Sequence, residues 1–289
     1  MSIFQLSLNG KTKLENTIER IKFYESAALS MDPDGYYIAY SGGKDSLVIS
    51  YLAILAGVKF KLHNNHTTLD APELVYHIRK MKKWYKSNFD VDLEIHYPEM
   101  SMWQLIPTKL MPPTRLVRYC CDYLKEGGGM GKFVITGVRW AESTKRKHNR
   151  QEIEFDRYGS NSKAARENRE IFLNNDNDGK RRMMETCNIK GKHILNPIVD
   201  WSDSEVWEFI KWYNLPYCKL YDEGYDRLGC IGCPMAGAKK MKKELEKYPK
   251  YRDNYLRAFK RMLKERERKG LETQWKTAEE VMEWWINGK

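Results

Sequence analysis

Residues 36–56 read YYIAYSGGKDSLVISYLAILA, and this stretch decides the fold. Tyr36 to Tyr40 is a short run of apolar, β-prone side chains and predicts a strand. Ser41-Gly42-Gly43-Lys44-Asp45-Ser46 follows at once. From Asp45 to about Ala56 apolar residues (Leu47, Val48, Ile49, Leu52, Ile54, Leu55) fall almost all round a helical wheel. Such a helix is covered on several sides. A strand, a glycine turn and a buried helix together make a seat for phosphate. The two glycines let the backbone turn tightly and present bare N–H groups, and the helix start adds its partial positive charge. Lys44 contributes a mobile ammonium, and Ser41 and Ser46 contribute hydroxyls. Asp45 is out of place beside an anion unless a cation is bound as well; Mg²⁺ held between Asp45 and phosphate oxygens accounts for it. The loop is neither GxxxxGK[ST] nor GxGxxG.

On either side of this segment strands and helices alternate. Thr12-x-x-Glu15 is a capping box opening an amphipathic helix to about Leu29, and Asp32-Pro33-Asp34-Gly35 is a turn by composition. Lys59–Asn65, Leu93–Tyr97 and Phe133–Val138 are strand candidates, while Glu73–Asn88 and Arg118–Lys125 have helical character. Alternation of this kind implies an α/β chain with a doubly wound parallel sheet and a binding crevice at the strands' carboxyl ends. Residues 140–192 are polar and basic and read as an insertion that orders on binding a ligand. Ser202-x-x-Glu205 is a second capping box, before a helix that Pro216 ends. The expected organisation is an N-terminal helix (1–30), a nucleotide-binding domain (31–215) carrying that insertion, and a helical, cysteine-containing C-terminal part (216–289).

The chain has 289 residues, enough for one large domain or a core with an appendage. Fifty basic against thirty-nine acidic residues give a net charge of +11, which favours an anionic partner, nucleotide or nucleic acid. Most of the excess lies in Lys239–Lys269, where Tyr248, Tyr251, Tyr255 and Phe259 interleave with Lys247, Lys250, Arg252, Arg257, Lys260 and Arg261. Two readings of it stand: a basic helix tracking a phosphate backbone, or a solvated face with the four-apart aromatics packed inward. No apolar run is long enough for a membrane span and the start lacks an export-signal pattern, so no membrane partner and a cytoplasmic location are expected. The six cysteines then read as thiols or metal ligands. Cys230-x-x-Cys233, with Gly229 before it, Gly232 inside it and Pro234 after it, has the form of a metal knuckle. Cys218 reads as a packing residue.

SGGKDS resembles the pyrophosphate (PP) loop of the adenine nucleotide α-hydrolase-like superfamily. Further segments resemble the phosphoadenosine phosphosulfate (PAPS) reductase family: Arg118-Tyr-Cys-Cys-Asp-Tyr-Leu-Lys125, Thr136-Gly-Val-Arg139 with Glu142 and Arg146, Asn196-Pro-Ile198, Glu205-Val-Trp207, and Leu220-Tyr-Asp-Glu-Gly224 running into Arg227-Leu-Gly-Cys-Ile-Gly-Cys-Pro234. The branch it resembles is related to DNA phosphorothioation sulfurtransferases. The resemblance implies a Rossmann-like sheet that binds an adenosine phosphate. It places Ser41, Gly42, Gly43, Lys44, Asp45, Ser46, Asn64, Gly137, Arg139, Glu142 and Arg146 at the nucleotide, with Lys44, Asp45, Arg139 and Arg227 in the chemistry. Members with a Lys-Asp pair, as Lys44-Asp45 here, are typically ATP users that split the α–β bond. The reductases' C-terminal Glu-Cys-Gly-Leu-His type tail is missing, since this sequence ends TAEEVMEWWINGK.

Cys120-Cys121 with Cys230 and Cys233 resembles the signature that holds a [4Fe–4S] cluster in adenylylsulfate reductases. Cys187 is a fifth candidate, and Cys121, Cys187, Cys230 and Cys233 form an alternative set. Zinc is the competing occupant and buried free thiols the third reading. The function expected first is ATP- and Mg²⁺-dependent adenylylation of an acceptor, such as a nucleic acid, for sulfur transfer from a donor such as a cysteine desulfurase. The alternatives are a sulfonucleotide reductase using an external thiol and a non-catalytic, nucleotide-dependent nucleic-acid-binding module.

Overall fold

The computed structural model describes residues 2–6, 10–154 and 192–287. Six strands form one sheet: β1 (Tyr36–Ala39), β2 (Phe60–Asn65), β3 (Leu93–His96), β4 (Phe133–Ile135), β5 (Ile153–Glu154) and β6 (His193–Leu195), in the order β3-β2-β1-β4-β6-β5. β1 pairs in parallel with β2 and with β4, β4 in parallel with β6, and the two-residue edge strand β5 runs antiparallel to β6. The fold is a Rossmann-like α/β sheet. The chain leaves β1 for β2 on one side and later returns to β4 on the other. The glycine loop after β1 therefore lies where strand order reverses, the usual ligand position in such sheets.

The helix Lys44–Ala56 is apolar all round because two helices cover it, Lys13–Phe23 and Asp203–Trp212. Leu47, Val48, Ile49, Leu52 and Ala53 are all buried. Both covering helices begin with the capping boxes read from sequence: Glu15 N–H donates to Thr12 Oγ1 at 3.1 Å, and Glu205 N–H to Ser202 Oγ at 3.2 Å. Each such cap contributes about 1 kcal/mol. Trp201, fully buried, donates its indole N–H to Thr17 Oγ1 at 3.2 Å and ties the two helices' starts together.

Gly35 closes the turn before β1. Its N–H donates to Asp32 O at 2.8 Å, its φ is +76°, and a Cβ there would stand 2.0 Å from Lys59 O. A side chain is excluded by both backbone conformation and contact. Gly35→Ala is therefore expected to destabilise the chain by about 3 kcal/mol, read as a lowered urea midpoint at unchanged m-value.

The structure divides into two compact units that interleave along the chain instead of following one another. One comprises Met1–Asn64, Glu73–His96 and Gly129–Leu228 and contains the sheet; the other comprises Asn65–Pro72, Tyr97–Gly128 and Gly229–Lys289. In the second unit the helix Pro249–Arg268 packs against Met102–Lys109 and Ala278–Asn287. Trp103, Tyr255 and Trp285 meet there, with ring centroids 5.0 and 4.5 Å from Tyr255. The long C-terminal helical stretch is broken at Tyr248: one helix covers Ala238–Lys247, and Pro249, which has no N–H to give, opens the next. Residues 140–154, expected within a polar insertion, supply a helix (Thr144–Asn149) and β5; residues 155–191 lie outside those described. Among the described residues no helix is long and apolar enough to cross a membrane.

Candidate functional site

The loop has the backbone its glycines imply. Gly42 has φ +76°, and a Cβ on it would stand 2.7 Å from Ile78 Cγ1 and 2.9 Å from Leu74 Cδ1. Ser41 Oγ lies 3.2 Å from Ser46 Oγ, and Ser46 donates to Gly43 O at 2.8 Å, so the two hydroxyls brace the turn. Tyr221 OH accepts the Lys44 N–H at 2.9 Å. Gly137, after β4, is needed because the helix start passes close by: a Cβ there would meet Asp45 backbone and Cβ atoms at 3.0 Å.

Two buried cations converge beside the loop. Lys44, 5% exposed, sends Nζ to Asp226 O at 2.8 Å and to within 3.3 Å of Asp203 Oδ1. Arg139, 2% exposed, donates from Nε to Asp45 Oδ1 at 2.7 Å and from Nη2 to the same Asp203 Oδ1 at 2.9 Å. One oxygen of an exposed carboxylate is thus shared by an ammonium and a guanidinium that are themselves buried. Burial pushes the Asp45 carboxyl up from its ordinary range; Arg139 and Lys44 oppose that and Glu142 adds to it. Burial likewise raises the Tyr221 phenol, which stays neutral and able to accept from Lys44.

The other expected residues fall into two groups. Asn64 is buried and gives its amide to Tyr40 O at 2.9 Å, which joins the ends of β1 and β2. Glu142 accepts from Arg139 N–H at 3.2 Å and pairs with Arg146 one turn on, so the arginine it orients through its side chain is Arg146. Arg227 is exposed, one residue beyond the Asp226 carbonyl that holds Lys44. Sequence reasoning missed Asp203 and the role of Tyr221; an acid in the first turn of a capped helix reads as dipole compensation.

In the other unit, Cys120, Cys121, Cys230 and Cys233 are half-buried free thiols. Each of the other three pushes Cys120 up, Cys121 most strongly through a hydrogen bond and burial next. The Cys120 thiol donates to Cys121, whose ionisation is pulled down further by Arg118, with Nη2 3.4 Å from its sulfur. Burial pushes Cys230 up while Lys125, hydrogen-bonded to it, opposes the shift, and Thr67 Oγ1 lies 3.6 Å from its sulfur. The knuckle itself is built for a tight turn. Gly232 has φ +70°, gives its N–H to the buried Glu244 at 2.9 Å, and would bring a Cβ within 3.2 Å of Trp285 and Tyr255. Tyr255 donates to Ile231 O at 2.9 Å. The four thiols share one neighbourhood with two cations, Arg118 and Lys125, and positive charge of that kind is what a set of thiolate ligands needs. Cys218 is fully buried, and Cys187 lies outside the described residues.

Of the aromatics in the basic stretch, Tyr255 and Phe259 are buried and Tyr251 gives its hydroxyl to Asp70 O at 2.7 Å. They pack inward. The cations Arg257, Lys260, Arg261 and Lys264 instead line a groove of about 500 Å³ with Trp103.

Residues 35–236 match the family model described as the phosphoadenosine phosphosulfate reductase domain. The chain belongs to that family. Among relatives of the PAPS reductase domain in this chain, an uncharacterized protein of Methanocaldococcus jannaschii is 26% identical over 259 residues, which is 85% of this chain and 44% of that protein. The chain thus spans less than half the length of that curated relative. Adenosine 5'-phosphosulfate reductase of Allochromatium vinosum is 44% identical over 46 residues, 16% of this chain and 18% of the reductase. Among solved structures, PAPS reductase from Candida auris in its phosphate complex is similar at a TM-score of 0.44 and 17% identity, covering 80% of this chain and 98% of that one.

Proposed function

We propose that this PAPS reductase family chain binds ATP at Ser41–Ser46 and cleaves the α–β bond to adenylylate an acceptor for sulfur transfer. The observation that carries the reading is the Asp203 oxygen held between Lys44 Nζ and Arg139 Nη2, at 3.3 and 2.9 Å. Asp203 is largely exposed and free to swing out, whereas both cations are buried and fixed, so an incoming phosphate takes the place of its carboxylate. An acceptor oxygen then attacks the α-phosphorus, the bond to the bridging oxygen breaks, and pyrophosphate leaves. Lys44 and Arg139 stabilise the charge that develops on it. Asp45, whose Oδ1 accepts from Arg139 Nε, is the residue that would hold Mg²⁺, and the ion would supply positive charge for the leaving group.

Cys120, Cys121, Cys230 and Cys233 are the residues that would hold a [4Fe–4S] cluster or zinc. A cluster there supplies a thiophilic, redox-capable centre. Lys125 and Arg118, beside Cys230 and Cys121, would balance its charge. A nucleic-acid acceptor is supported by the cationic groove beside Trp103, where four side chains can follow a phosphate backbone and an indole can stack on a base. A sulfur donor such as a cysteine desulfurase is implied by the same chemistry.

A second reading is sulfonucleotide reduction with an external thiol, favoured by the short match to adenosine 5'-phosphosulfate reductase. One experiment separates the two. The chain is incubated with α-labelled ATP, Mg²⁺ and candidate acceptors, including RNA and DNA, and in parallel with adenosine 5'-phosphosulfate or PAPS and thioredoxin. Acceptor-dependent pyrophosphate and a labelled, adenylylated acceptor are expected from the first arm. Sulfite from the second arm with a silent first arm transfers the assignment to reduction.

A further inference from the structure

The open edge of the sheet carries a second group of ligating side chains that the nucleotide chemistry does not use. Glu94 and His96 stand two residues apart on β3 and project to one face of the strand. His63 stands on β2, the neighbouring strand. His63 Nδ1 lies 3.0 Å from His96 Nε2 and 3.6 Å from Glu94 Oε2, and His96 Nε2 lies 3.9 Å from the same carboxylate oxygen. Ligands at the usual zinc distances in a tetrahedron stand about 3.3 Å apart. The three observed separations bracket that value. Among the described residues, these three are the group of His, Cys, Asp and Glu whose ligand atoms all lie within 4.8 Å of one another.

The surroundings hold the three groups in place. Glu94 divides its oxygens: Lys61 Nζ is 3.9 Å from Oε1, while Oε2 faces both imidazoles. Lys61 itself is held at 2.6 Å by Asp34 and does not occupy the space between the three. The His63 ring lies flat on Tyr37, with centroids 3.8 Å apart and an interplanar angle of 0°, which fixes its orientation. Burial, assisted by His96, Lys132 and Lys61 against the pull of Glu94, pushes His63 protonation down to about 4. One N–H between His63 and His96 joins the rings head to head. A cation binding there takes the place of that proton, with the rings turning so that both nitrogens face it. His96 and Glu94 are exposed, so a fourth position is open to water.

We propose that His63, Glu94 and His96 form a binding site for a divalent transition metal of the zinc class, which braces edge strand β3 to β2. Its ligands share no residue with the cysteine set, and it does not depend on the nucleotide assignment. Two imidazoles and one carboxylate suit zinc, cobalt or nickel better than magnesium or calcium.

Co²⁺ titration of the reduced, metal-stripped full chain tests it, because thiolate-to-cobalt charge-transfer bands mark cobalt on cysteines and are absent from a His₂Glu site. The wild type is expected to take up one equivalent whose d–d spectrum lacks those bands, and Zn²⁺ to displace it. His96→Ala and Glu94→Ala, both at exposed positions that leave the core untouched, are expected to weaken this equivalent by roughly a hundredfold and to leave thiolate-bound cobalt unchanged. Zn²⁺ is also expected to raise the melting temperature of the wild type more than that of His96→Ala, since it binds only the folded state. No such equivalent in the wild type, or its persistence at full affinity in His96→Ala, overturns the proposal.

Discussion

Lys44→Ala is expected to lower acceptor-dependent pyrophosphate release by roughly 10²–10³-fold, the effect of removing one preorganised donor from a developing anion. Affinity for ATP falls with it, since the alanine leaves Arg139 alone to face the polyphosphate. The fold should survive. The ammonium's charged partner, Asp203, is 61% exposed at its side chain and solvates itself when released, so the pair adds little to stability. The other losses are one hydrogen bond to Asp226 O and a contact over the Tyr221 ring at 5.5 Å. Pyrophosphate release, nucleotide calorimetry and a melting curve on the same preparation separate catalysis from folding. Asp203→Asn makes the complementary test, because it removes the competing charge while keeping the shape; severalfold tighter pyrophosphate binding is expected. Should Lys44→Ala turn over like the wild type, the phosphate seat lies elsewhere and the functional proposal fails with it.

The parts of this site that were legible in the sequence are those encoded locally. A glycine turn, a lysine and a helix start are consecutive residues, and the all-round apolarity of residues 45–56 already implied a helix covered on several sides. The two cysteine pairs could be picked out because Cys120-Cys121 and Cys230-x-x-Cys233 are each short-range patterns; that they ligate together belongs to the proposal. What could not be read depends on distant segments meeting. Asp203 looks like an ordinary first-turn acid until Arg139, sixty-four residues earlier, is placed beside it. Tyr221 caps the loop from a 3₁₀ turn 177 residues further along the chain. β5 has two residues, too few for any periodicity, and lies in a segment whose polarity masks it. His63, Glu94 and His96 are single polar positions on two strands, and pairing those strands is what joins them. The basic aromatic stretch was ambiguous for a different reason: a spacing of four serves inward packing and outward stacking equally, and only burial of Tyr255 and Phe259 decides between them.

Cys230→Ser and Cys233→Ser are each expected to reduce bound iron, sulfide or zinc to background, because three thiolates with one hydroxyl hold either centre far more weakly than four thiolates. Metal binding free energy is also folding free energy where the ligands are gathered only in the native state. The second unit should therefore melt earlier in these variants, and by more than the lost sulfur contacts explain. Gly232, Glu244 and Tyr255 support the knuckle without touching the metal through sulfur, so Glu244→Gln should keep the metal and merely loosen its site. Cys218→Ser is the control: that thiol is fully buried among packed side chains, and the substitution should cost stability at unchanged metal content. Anaerobic purification, a visible spectrum and elemental analysis of the series read all of this directly. Cys120→Ser and Cys187→Ser then discriminate between the two possible ligand sets, since each of these residues belongs to only one of them. Cys120 donates its thiol proton to Cys121 in the metal-free state, and that proton must leave before Cys120 can ligate; a set containing it will load faster as pH rises. If all four thiols of Cys120, Cys121, Cys230 and Cys233 titrate freely in anaerobically purified protein, and Cys230→Ser changes neither metal content nor melting, the cysteines are packing residues and the centre does not exist.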